Sequence, residues 1–224
     1  MLLNMNYRKY LAEMVGTFIL VFCCTGAIIV NQETGGSITH LGLAIISGLV
    51  VTAMIFALGD VSGAHMNPAI TIAFALDRQL EIKEVSPYIL AQAVGAFCAS
   101  GSLSLLFPDN KLLGTPMPAG TEWQSFVMEF ILSFILVLVI FNVSAGAKEK
   151  GITAAIAIGS TVAMAALFGG PVSGAAINPI RFLAPAVVSG HTEHLRLYLT
   201  APLAAAVMAV LLHRILYPKK SKES

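Results

Sequence analysis

Charge is what this chain has least of. Asp, Glu, Lys and Arg make up 11% of its 224 residues, against 57% hydrophobic. A soluble domain carries about 25% charged residues. A chain this poor in charge cannot coat itself in polar surface, which excludes an ordinary soluble globule and points to the bilayer. The net charge is only +1, so there is no basic excess for a nucleic-acid partner. Cysteine is limited to Cys23, Cys24 and Cys98. No C-x-x-C or Cys/His spacing accompanies them, so they read as small buried hydrophobes and not as a disulfide frame or metal site. Four of the histidines, His40, His191, His194 and His213, fall near predicted membrane interfaces without ligand spacing. No nucleophile, base and metal converge, so neither an enzyme nor a bound cofactor is expected.

Long apolar runs are what it has. A helix needs about 20 residues to cross the hydrocarbon. The runs predict six spans: Leu11–Val30, Leu41–Leu58, Pro87–Phe107, Ser125–Ala145, Ile152–Phe168 and Leu197–Tyr217. Two shorter apolar pieces remain, Asn67–Leu76 and Asn178–Val188. At ~1.5 Å per residue each reaches about halfway. The first span is too long for a signal-peptide core, contains Glu13, and is followed by no A-x-A pattern. Ten of the thirteen basic residues flank the spans on one side, Arg8, Lys9, Arg78, Lys83, Lys148, Lys150, Arg214 and the tail lysines among them. That bias places both termini in the cytoplasm.

One phrase is written twice: "VSGAHMNPAI" at Val61–Ile70 and "VSGAAINPIR" at Val172–Arg181. The copies have company. "EMVGTFILV" from Glu13 matches "EFILSFILV" from Glu129, and "YILAQA" from Tyr88 echoes "YLTAPL" from Tyr198. The order in each half is span, span, Asn-Pro piece, span. An odd number of spans per unit inverts the second copy, so the chain reads as one transmembrane domain, 1–224, built as an inverted repeat of about 9–107 and 125–217. The expected fold is all-α, with six transmembrane helices and two re-entrant half-helices.

Asn is a favoured N-cap and Pro a favoured first helical residue. Each phrase therefore reads as loop, cap, helix start. Non-helical backbone at membrane depth must be buried in protein or line a wet cavity. Two such pieces entering from opposite faces should meet near the midplane, both positive ends inward, which disfavours cations. Ser62–His65 and Ser173–Ala176 are expected to be extended. The carbonyls of Gly63, Ala64 and His65, and of Gly174, Ala175 and Ala176, would then face the lumen. Asn67 and Asn178 would add amide donors to that ladder of acceptors. Glu13 and Glu129 sit inside spans, where a carboxylate is costly and marks function. Asp60 and Asp77 are expected to cap or pair around the loop beside them.

These paired motifs resemble the signature loops of the aquaporin and glycerol-channel family, the major intrinsic proteins, over about Lys9 to Tyr217. The resemblance implies an aquaporin-like bundle that assembles as a homotetramer, with one pore per subunit and with small neutral solutes, water and the lipid bilayer as partners. It implies that Asn67, Pro68 and Ala69, and Asn178, Pro179 and Ile180, form the pore motifs. Ile180 stands where the family usually has Ala, and is expected to pack at the midplane and trim the lumen. Glu13 and Glu129 would brace the loops. The family's four constriction positions carry over by spacing from the motif asparagines onto Ser47, Ala166, Ala175 and Arg181. Three of these are small, where water-selective members place an aromatic and a His and glycerol channels place two aromatics. The set resembles the nodulin-type intrinsic proteins and their bacterial relatives. It implies a passive channel for compact polyhydroxy solutes such as boric, arsenous or silicic acid, glycerol and urea, beside water, in the plasma (inner) membrane. A water-selective pore and a secondary transporter built on inverted repeats are the alternatives.

Replacing Ser47 with Trp and Ala166 with His restores bulk at two of the four positions. Stopped-flow swelling of vesicles should then show glycerol and boric acid flux cut, with water flux retained. Unchanged solute flux would refute the carry-over.

Overall fold

The structure, a computed structural model, describes residues 5–144 and 149–218. Ala145, at the end of the fourth predicted span, and the basic residues Lys148, Lys219, Lys220 and Lys222 lie outside the described residues. The described chain forms α1 (Met5–Glu33), α2 (Thr39–Ser62), α3 (Pro68–Leu76), α4 (Ile82–Leu106), α5 (Glu122–Ser144), α6 (Glu149–Ser173), α7 (Pro179–Ser189) and α8 (Leu195–Leu216). Among them, 6 are long and apolar enough to cross a membrane. Two are not. α3 has 9 residues and α7 has 11, about half the length a crossing needs.

Both long helices that precede a half-helix outrun their apolar stretch. α2 continues past Leu58 to Ser62, and α6 past Phe168 to Ser173. Backbone polar groups at depth stay satisfied by remaining helical, whatever the side chains are. The two halves interlock. α1 packs on α2 and α4, α5 packs on α6 and α8, and α2 crosses α6 between the halves. α3 and α7 each lie against both α4 and α8, and their tips meet.

The α2–α6 crossing depends on missing side chains. A Cβ on Gly159 would stand 1.8 Å from Thr52 Oγ1 and 2.7 Å from the Gly48 carbonyl. A Cβ on Gly48 would stand 2.6 Å from the Gly159 carbonyl. Thr52 Oγ1 uses that closeness to reach the Ala155 carbonyl at 3.3 Å. Small residues that let backbones approach are how membrane helices gain contact, since lipid supplies no hydrophobic drive between them.

Gly159→Val should therefore force the two pore-side helices apart. Overpacking of this kind costs about 1–3 kcal/mol. Heating detergent-solubilised protein and following its size-exclusion peak should show loss at a lower temperature than wild type.

Candidate functional site

Each Asn-Pro segment begins a half-helix by the same local chemistry. Asn67 is extended at φ −157°, and its Oδ1 accepts from Ala69 N at 2.9 Å. Asn178, at φ −153°, does the same for Ile180 N at 3.1 Å and Arg181 N at 3.4 Å. Pro68 and Pro179 take the first helical position, where a missing N–H costs nothing. The amide nitrogens turn the other way and cross the midplane. Asn67 Nδ2 donates to the Ile177 carbonyl at 2.9 Å, and Asn178 Nδ2 donates to the Met66 carbonyl at 2.8 Å. Each NH2 keeps one further donor.

Contrary to the sequence expectation of extended backbone at Ser62–His65 and Ser173–Ala176, the segments before the caps turn left-handed. Ser62 and Ser173 close α2 and α6. Gly63, Ala64 and Met66 then take left-handed φ values of 87°, 48° and 48°, and Gly174, Ala175 and Ile177 take 78°, 43° and 43°. Left-handed non-glycine residues cost about 1–3 kcal/mol each and persist only where the surroundings hold them. The reason for the departure is the accounting of N–H groups. A plain strand would leave them unmet, whereas this path aims them at a buried glutamate. Glu13 Oε1 accepts from Ser62 Oγ at 2.7 Å and His65 N at 2.8 Å, and Oε2 from Met66 N at 2.7 Å and Gln92 Nε2 at 2.7 Å. Glu129 repeats the pattern with Ser173 Oγ at 2.7 Å, Ala176 N at 2.9 Å and Ile177 N at 2.7 Å. Every partner is a donor, so both carboxylate oxygens serve as acceptors. Tyr88 Oη donates to the Ser62 carbonyl at 2.9 Å, and Tyr198 Oη to the Ser173 carbonyl at 2.6 Å.

The loops line a cavity of about 930 Å³. It extends from His40, Pro116 and Met117 at one end, past both asparagines, to Phe56 and Asp60 at the other. Gly63, Ala64 and His65 line it, as do Gly174, Ala175 and Ala176. Among the described residues none of these six carbonyls accepts a protein hydrogen bond. Ser47, Ala166, Ala175 and Arg181 line the same cavity. Ser47 Oγ gives its proton to the Leu43 carbonyl at 2.9 Å, so it offers the lumen lone pairs. Arg181 is 6% exposed, and its Nη1 has no partner among the described residues.

The structure moves several residues from where sequence reasoning put them. Ile180 does not trim the lumen. Its side chain, 3% exposed, joins the hydrophobic core, as does that of its counterpart Ala69, and neither lines the cavity. The second residue after each capping Asn points behind the half-helix, so the core absorbs its bulk. Cys98 is exposed, and Cys24 lines the cavity beside Ser47 and Arg181. Asp60 caps nothing. It stays on α2 at the cavity end, while Asp77 caps α3 and pairs with Arg214 at 3.0 Å. His40 belongs to the cavity wall, not only to an interface.

Sequence reasoning missed one network altogether. Thr71 Oγ1 donates to the Asn67 carbonyl at 3.1 Å and accepts from Gln92 Nε2 at 2.9 Å. Its one proton is spent, so His65 Nδ1, at 3.2 Å, must be a donor to it. His65 Nε2 is then left as an acceptor on a cavity-lining ring. No counterpart stands in the second half. Pro202 and Phe182 occupy the matching positions, and Phe182 stacks on Tyr198 with centroids 4.2 Å apart. The tyrosine echo was a signal for part of this. Gln92 carried none.

The sequence profile described as "Major intrinsic protein" matches residues 3–213. This chain belongs to the major intrinsic protein family. Nodulin-26 of Glycine max is 43% identical over 210 residues, 93% of this chain and 77% of that one. Aquaporin NIP1-1 of Oryza sativa subsp. japonica is 41% identical over 211 residues, 93% and 74% of the two chains. Among solved structures, the aquaglyceroporin from Plasmodium falciparum superposes with a TM-score of 0.86 at 24% identity, over 95% of this chain and 98% of that one. That likeness concerns the fold. The chain is thus an integral membrane channel of the major intrinsic protein family, and the cavity between its half-helices is the candidate pore.

In this major intrinsic protein Glu129→Gln would set an amide NH2 against the loop's own donors. A buried donor facing a donor costs about 1–3 kcal/mol. Glu13→Gln should act alike. Both variants should melt earlier in detergent and pass water about tenfold more slowly or worse in stopped-flow assays, the factor that ~1.4 kcal/mol represents. Wild-type melting and flux in both would show that the carboxylates do not hold the loops.

Proposed function

We propose that the chain is a passive channel for small neutral polar solutes: water together with compact polyhydroxy solutes such as boric, arsenous or silicic acid, glycerol and urea. The observation that carries this reading is the company Arg181 keeps. Arg181, 6% exposed, lines a cavity whose other constriction positions are Ser47, Ala166 and Ala175. Small side chains leave width for a branched solute. The guanidinium supplies fixed donors to a passing oxygen and repels cations. Free carbonyls on both loops take up the solute's hydroxyl protons as it moves. The two half-helix N-termini add positive potential at the waist, which repels cations and protons without any moving part. The aquaporin name of its relative from Oryza sativa subsp. japonica favours a water-conducting pore.

In this reading Ser47, Ala166, Ala175 and Arg181 are the selectivity filter. Asn67, Pro68 and Ala69 with Asn178, Pro179 and Ile180 shape the waist, and Glu13 and Glu129 hold the loops. The chain works as a homotetramer in the plasma (inner) membrane with both termini cytoplasmic, the side to which its basic residues are biased. Repeat one runs over about 9–107 and repeat two over about 125–217.

The test is a solute panel on reconstituted vesicles. Wild type should pass water, glycerol and boric acid in linear proportion to the gradient. Saturating or proton-coupled flux would mean a carrier, and water flux alone would mean a water-selective pore. Arg181→Val should keep neutral flux and raise ammonium or proton leak about tenfold or more, as ~1.4 kcal/mol of lost repulsion would give.

A further inference from the structure

The four filter positions lie well inside the pore, and the cavity continues beyond them to His40. His40 stands seven residues before Ser47 on α2, about 10 Å further along the helix axis. Its placement is built. Asn31 Oδ1 accepts from Ile38 N at 3.1 Å and Thr39 N at 2.9 Å, which ties the start of α2 back to α1. Thr39 itself is left-handed at φ 64°, turning the chain so that the next side chain reaches towards α6. There His40 Nε2 lies 2.7 Å from the Leu167 carbonyl. The imidazole can approach because residue 170 is glycine: a Cβ there would stand 3.0 Å from His40 Cε1.

The chemistry of the ring follows from that bond. A carbonyl only accepts, so Nε2 carries the proton. A neutral imidazole then has a bare lone pair on Nδ1, and among the described residues nothing donates to it. Arg181 further in offers donors alone. A solute drawn from water must exchange its hydrogen bonds one at a time, and a hydroxyl needs both an acceptor and a donor.

We propose that His40, held by the Leu167 carbonyl and seated over Gly170, is a specificity-determining residue of this pore. Its free Nδ1 accepts a hydroxyl proton from polyhydroxy solutes before they reach Arg181. The proposal rests on the small-solute reading above and adds a recognition point outside the four filter positions. It favours solutes rich in hydroxyl donors over water, which finds partners anywhere along the wall.

The experiment measures glycerol, boric acid and water flux in vesicles for wild type, His40→Phe, His40→Gln and Gly170→Ala. Phe keeps a ring and loses both nitrogens. The solute-to-water flux ratio should fall about threefold to tenfold, the scale of one lost hydrogen bond. Gln supplies an amide N–H for Leu167 and an oxygen acceptor for the lumen, and should hold the ratio within about twofold of wild type. An unchanged ratio in His40→Phe overturns the proposal. So does a fall in His40→Gln as deep as in His40→Phe, since shape and not the acceptor would then decide. If His40→Phe also loses water flux, Gly170→Ala decides, because it keeps the imidazole but displaces it from its seat. The same fall in ratio supports the proposal, and a wild-type ratio overturns it. Wild-type vesicles that pass water and neither solute would instead sink the small-solute reading, and that result appears before any variant is made.

Discussion

Each half-helix tip donates a side-chain N–H to a carbonyl of the opposite loop, Asn67 to Ile177 and Asn178 to Met66. This exchange at mid-membrane is the constraint on which the rest depends. It fixes the distance between two loops that approach from opposite faces. It requires both asparagines to turn their oxygens back as caps, which starts α3 and α7 where they start. It also consumes the last carbonyl of each loop, while the preceding three accept no protein hydrogen bond among the described residues. The glutamates act one layer behind, holding N–H groups that the left-handed path would otherwise bury unmet.

The two halves solve one geometric problem with different materials. In the first, Gln92 and Thr71 join Glu13 to His65 in a chain of hydrogen bonds behind the loop. In the second, the stack of Phe182 on Tyr198 takes that place. The polar chain sets which nitrogen of His65 faces the cavity, and the stack sets nothing of the kind. The inverted repeat is therefore symmetric in its backbone and in its glutamates and tyrosines, but its two walls present different chemistry to the lumen.

Much of this was legible from residues alone, and for local reasons. Run length identifies spans because hydrocarbon thickness sets it. Asn-Pro identifies a helix start because capping chemistry involves only neighbours in sequence. The repeated glutamate stood out because charge inside a span is rare. What escaped reading depends on direction. Spacing places Ile180 beside the waist but does not say that it points behind the half-helix. Nor does it say that the residues after Ser62 and Ser173 turn left-handed, since only the need to deliver N–H groups to Glu13 and Glu129 demands that. Gln92 and Thr71 look like ordinary helix residues until α3 and α4 are set side by side. His40, read as interfacial, also lines the cavity because of how α2 is rotated, and Cys24 is a buried core residue that lines it too.

The cross-membrane exchange also bears on how the protein can be made. A ribosome delivers α3 some hundred residues before α7. Until α7 arrives, the Met66 carbonyl and the Asn67 amide have no partner, and hydrocarbon offers none. The two bonds that close the waist can therefore form only once both halves of the chain are present.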